Sequence, residues 1–159
     1  MLKVIAFFVG IIAITTGICA VQAEPDVPIA EKIVAIRQWV LHGQSKAGKA
    51  TVGSDAAKLL GMGQSDLIGT QANFGGKAGG VGIFFVTLPS RPDILLIRLD
   101  YKIDRRVYWR VKRDGTLLRT VQRQNGELTV VSGEDYDRGA VGILNYFYRN
   151  IGQNLVASK

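Results

Sequence analysis

ILLIRLDYKIDRRVYWRVKRDGTLLRTVQRQNGELTVVS, residues 94–132, alternates apolar and polar side chains around two turn dipeptides. Alternation at every second residue is the period of a β-strand. Asp-Gly or Asn-Gly between such runs marks a tight hairpin. Asp114-Gly115 and Asn125-Gly126 therefore cut the stretch into strands expected at Ile94–Ile103, Arg106–Lys112, Thr116–Gln124 and Glu127–Ser132. Ile97, Leu99, Tyr101 and Ile103 share one face of the first. In the next, Val107, Trp109 and Val111 alternate with Arg106, Tyr108, Arg110 and Lys112. Upstream, Ile83–Leu88 reads as another strand and Pro89–Pro92 as a turn, which gives an antiparallel meander of about five strands.

Helical periodicity flanks the meander. Ile29, Ile33, Ile36 and Val40 fall on one stripe, with Asp26 placed to cap, Pro28 tolerated in the first turn and Gly43 as a stop, so a helix is expected over 28–42. Val141, Leu144, Tyr148, Ile151 and Leu155 repeat at helical spacing within Asp137–Leu155. Helix, meander, helix is an α+β domain with helical cover on one face of a twisted sheet. The order of elements is similar in layout to cystatin-like or NTF2-like folds, though no motif carries the resemblance further. Between Gly43 and Gly82 the rhythm is lost: eleven glycines stand in 40 positions, and Ser54–Leu60 is the one short helical candidate. This region is expected to be a glycine-rich loop.

The chain has 159 residues, enough for a single domain. Its first 23 residues look processed rather than folded. Lys3 gives a positive start, Val4–Ala20 is uncharged and mostly apolar, and Val21-Gln22-Ala23 offers small or medium residues at a cleavage site, the order of a secretory signal peptide. A retained anchor fits less well, because the run is short for a span and is interrupted by Gly10, Thr15, Thr16 and Gly17. Ile18 before Cys19 does not suit a lipoprotein signal. Cleavage after Ala23 would leave residues 24–159 without cysteine and with 19 basic against 13 acidic side chains, a charge of +6. The expected location is the periplasm or the medium, with no membrane anchor remaining.

Candidate chemistry is sparse. One cysteine and one histidine exclude Cys–His catalysis and most metal clusters, so neither cofactor nor metal is expected. Gly43-Gln44-Ser45-Lys46-Ala47-Gly48-Lys49 imitates a phosphate-binding loop, but Ala50 stands where Ser or Thr is needed, and a helix rather than a strand precedes it. The amides of Asn73–Gly80 with Lys77 form a second anion-cradle candidate. Glu134, Asp135 and Asp137 cluster where the last helix begins, a position the helix dipole favours for acids. His42, in the last turn of the first helix, is accounted for in the same way.

The strongest feature is basic. Arg98, Lys102, Arg105, Arg106, Arg110, Lys112, Arg113, Arg119 and Arg123 lie within 26 residues, against Asp100, Asp104 and Asp114. A two-residue Asp114-Gly115 hairpin would set Lys112 opposite Leu117 and Arg110 opposite Arg119. Arg110, Lys112, Arg119, Arg123 and Tyr108 would then share one face. Like charges directly opposed destabilise a sheet unless solvent or an anionic partner relieves them. The expected function is a non-enzymatic binding module that meets an acidic protein or an anionic envelope component through this face. Nucleic acid is not expected of an exported chain. The alternative is a small-ligand-binding or hydrolytic domain. Its cavity would lie between sheet and helix, with Glu134, Asp135 or His42 as polar groups and Tyr101 or Trp109 as lining.

Overall fold

The computed structural model describes residues 27–42, 52–78, 81–102 and 104–157. The expected signal peptide, the Asp26 cap, the Gly43–Lys49 motif and the Gly79-Gly80 pair lie outside the described residues. The elements run α1 (Ile29–His42), α2 (Ser54–Leu59), a 3-10 turn (Gln64–Leu67), β1 (Gln71–Ala78), β2 (Val81–Thr87), β3 (Ile94–Lys102), β4 (Arg105–Lys112), β5 (Leu117–Gln124), β6 (Glu127–Val131) and α3 (Glu134–Ala157). The strands form a six-stranded antiparallel meander in chain order, an α+β layout.

The sixth strand is β1, inside the segment read from sequence as a glycine-rich loop. Its own pattern does not announce it. Pairing does, from Gln71↔Thr87 to Ala78↔Val81, with an irregularity between Phe74 and Gly76. The Asn73–Ala78 stretch is therefore strand backbone bonded to β2, not an open loop of amides.

One face of the sheet carries the expected helices. Ile33, Ile36 and Val40 of α1 and Ala140, Ile143, Leu144 and Phe147 of α3 pack on Phe85, Ile97, Trp109 and their neighbours. The rings of Trp39 and Phe85 lie 4.7 and 4.4 Å from that of Phe147, so aromatic side chains fill the space between helices and sheet. Trp109 Nε1 donates to the Tyr136 carbonyl at 3.1 Å, and the Tyr136 hydroxyl donates to Gln122 Oε1 at 2.7 Å. These two bonds anchor the first turn of α3 to the sheet.

The opposite face is also covered, which the reading of a single covered face did not include. Val52, Ala56, Ala57, Leu60 and Met62, in and beside α2, form a second core with Val86, Leu88, Ile94, Leu96, Tyr108 and Val121. The cause is visible in Ile94–Ile97. Successive strand residues point to opposite faces, so four consecutive apolar residues need both faces buried, and all four are at most 1% exposed.

Candidate functional site

Hairpin register decides which arginines share a face. The Asn125-Gly126 turn, with φ of 52° and 81°, closes β5 to β6 with Gln124 opposite Glu127, as a two-residue turn requires. The Asp114 turn is longer. Gly115 N donates to the Lys112 carbonyl and Lys112 N to the Thr116 carbonyl, so the loop has three residues with Gly115 at φ +96°. Leu117 accordingly faces Val111, which corrects the expected pairing with Lys112. An irregularity in the next step then restores the expected pairing of Arg110 with Arg119, followed by Tyr108↔Val121 and Arg106↔Arg123.

The sheet thus bears two like-charge pairs on one face, and their surroundings differ. Arg110 and Arg119 meet the carboxyl end of α2. Gly61, at φ +78°, ends that helix in a Schellman turn, with Gly61 N donating to the Lys58 carbonyl and Met62 N to that of Ala57. The carbonyls left over accept from the arginines: Leu60 from Arg110 Nη1 at 3.0 Å, Leu59 from Arg119 Nη1 at 3.0 Å. Orphan carbonyls at a helix terminus are partial negative charges. They offset part of the repulsion between the two arginines. Burial, then nearby Arg91 and, to a smaller extent, Arg119 still lower the Arg110 pKa, with Asp93 and Asp66 opposing.

Arg106 and Arg123 stand at the other end of the same strand pair. Here the acid is Asp100, and Arg98 holds it first: Nε to Oδ1 at 2.8 Å and Nη2 to Oδ2 at 2.6 Å, a forked pair that raises the Arg98 pKa. The Arg98 guanidinium also lies 5.1 Å from the Phe84 ring centroid. Arg106 Nε reaches the same carboxylate only at 3.4 Å. Among the described residues no acid lies within ion-pairing distance of Arg123, and the Nε atoms of Arg106 and Arg123, like that of Arg110, are buried without a hydrogen bond. The half-exposed Arg106 and Arg123 thus carry positive charge that Asp100, already forked to the buried Arg98, does not balance.

The remaining candidates are placed as follows. Tyr108 is 2% exposed, in the second core beneath α2, so it supports that helix and offers no surface to a partner. Lys112 is exposed at the hairpin end of the same face. Glu134, Asp135 and Asp137 lie in the first turn of α3, where Arg138 pairs with Asp135 at 3.0 Å. His42 is exposed in the last turn of α1. Among the described residues no group of three or more His, Cys, Asp or Glu could hold a metal. An open groove lies between α1 and the Asp114 hairpin, lined by Ala30, Glu31, Val34, Ala35, Arg113 and Asp114. None of the groups expected of a sheet–helix cavity lines it, and Trp109 is fully buried in the filled core. Arg98, Asp100 and Arg106 were absent from the expected contact set, although period-2 counting from Tyr108 and Leu96 puts them on its face. No helix among the described residues is long and apolar enough to cross a membrane. No family, characterised protein or solved structure matches the chain.

Proposed function

We propose that this chain is an exported, non-enzymatic binding module whose arginine-rich sheet face contacts an anionic partner, an acidic protein or an anionic envelope component. The observation that carries the reading is the contrast between the two like-charge pairs. Arg110 and Arg119 donate to the carbonyls of the helix they hold, whereas Arg106 has only its longer reach to Asp100 and Arg123 has no acid within ion-pairing distance among the described residues. Uncompensated guanidinium groups beside a half-buried sheet surface are what an incoming carboxylate or phosphate would satisfy. Contact is therefore centred on Arg106 and Arg123, flanked by Arg98, with Lys112 and Arg119 at the far rim. Export follows from the order of residues 1–23.

The test is affinity capture from native envelope extract by residues 24–159, which contain every element of the fold, at low and moderate salt. An Arg106→Glu, Arg123→Glu variant of unchanged melting temperature is run in parallel. The reading predicts loss of one specific, salt-sensitive partner. Equal capture by both proteins, or none by either, overturns it.

A further inference from the structure

The geometry points to the outer edge of β6 as the place where an extended acidic segment of a protein partner adds as a seventh strand. This rests on the binding-module reading and names both the partner class and the mode. β6 ends the strand order. Because Gln124 and Glu127 close a two-residue turn, they exchange both backbone bonds, and alternation turns Thr129 and Val131 toward β5 as well. The N–H and C=O groups of Leu128 and Val130 therefore point away from the sheet. Among the described residues no loop, turn or cap backbone bond reaches them.

Edge strands are commonly blunted by lysine, proline, a bulge or a covering element. β6 has no lysine, no proline and no irregularity against β5, and its one charged residue, Glu127, adjoins the turn; α2 approaches it but leaves Thr129 and Val130 exposed. Leu128 and Val130 sit on the arginine face, opposite Arg123 and Val121, and Val130 is 52% exposed. A strand added beyond β6 would run about 10 Å from β5, two strand spacings. An arginine and a glutamate facing each other can close such a gap between them. Backbone pairing would supply affinity and the arginines the preference for acid. A lipid headgroup cannot present donors and acceptors alternating at strand spacing along the edge, so the edge favours a polypeptide. The opposite edge, β1, contains Gly75 and Gly76 and neighbours β2, which bears no arginine.

The probe is the end-blocked hexapeptide Val-Glu-Val-Glu-Val-Glu, titrated beside vesicles of phosphatidylglycerol and phosphatidylcholine. Val130→Pro removes the outward N–H and leaves the β5 ladder and every charge in place; Arg123→Glu reverses the charge and leaves the edge open. Each variant should weaken peptide binding at least tenfold. Amides of Leu128 and Val130 in the unaltered protein should gain protection from hydrogen exchange when peptide is added, which tests the claim without a substitution. Peptide binding that is lost in Arg123→Glu but kept in Val130→Pro, without amide protection, overturns strand addition and leaves the anion-binding face intact. Saturable binding to vesicles but not to peptide overturns the choice of a protein partner. Binding to neither overturns both readings.

Discussion

Gly61 is where local backbone and charge meet. An added Cβ would lie 3.0 Å from Arg110 Nη1, at a φ of +78° that side chains rarely adopt. Gly61→Ala should therefore cost about 1–2 kcal/mol, read as a lower melting temperature. Removing the donor instead, Arg110→Ala strands the Leu60 carbonyl at the end of α2 and should cost about 1–3 kcal/mol by denaturant titration. Tyr136 gives a pH test. Burial, and next the neighbouring Asp135, raise its pKa, so the folded state prefers the neutral phenol that donates to Gln122. That contribution is fully present below the ordinary tyrosine value, about 10, and is lost as pH rises through the higher folded value. Tyr136→Phe should flatten the alkaline fall in stability. An unchanged alkaline limb would show that Tyr136 does not contribute to it.

Element by element, β3 to β6 were legible because period-2 alternation and two Gly-containing turns each say the same thing locally. The helix stripes were legible for the same reason. What escaped was decided by partners distant in the chain. β1 exists because β2 offers it an edge, and its glycines give no pattern of their own. The 113–115 loop has three residues where Asp-Gly suggested two, and only the compensating irregularity near Leu118 brought Arg110 back opposite Arg119. α2 was visible as a short helical segment, yet its place on the arginine face was written elsewhere, in the unbroken Ile94–Ile97 run. That is why Tyr108 was read as surface: its arginine neighbours suggested a wet face that six helical residues in fact dry. Ala56 of α2 is fully buried. Ala56→Asp should unseat the helix at a cost of about 1–3 kcal/mol. Emission from Trp109, packed against the other face, should change little below the unfolding transition.

At the scale of the whole molecule, one sheet does two jobs with one residue type. Its helical face is closed by aromatic packing. Its arginine face is half structural, where guanidinium groups finish a helix, and half short of acid, at Arg106 and Arg123. The sequence places the expected contact at Arg110 and Arg119; because those two are bonded to the carbonyls of α2, the proposed contact is centred on Arg106 and Arg123 instead. An excess of +6 over residues 24–159 should make any such contact weaken steeply with salt. The most direct measurement sets the two charge-reversed pairs side by side, recording melting temperature and the binding of poly-L-glutamate at low salt. Arg110→Glu with Arg119→Glu should lower the melting temperature markedly, whereas Arg106→Glu with Arg123→Glu should keep it and lose at least tenfold in binding. If the Arg106 and Arg123 reversal binds polyglutamate as the unaltered protein does, the division of this face into a structural and a contacting half is wrong.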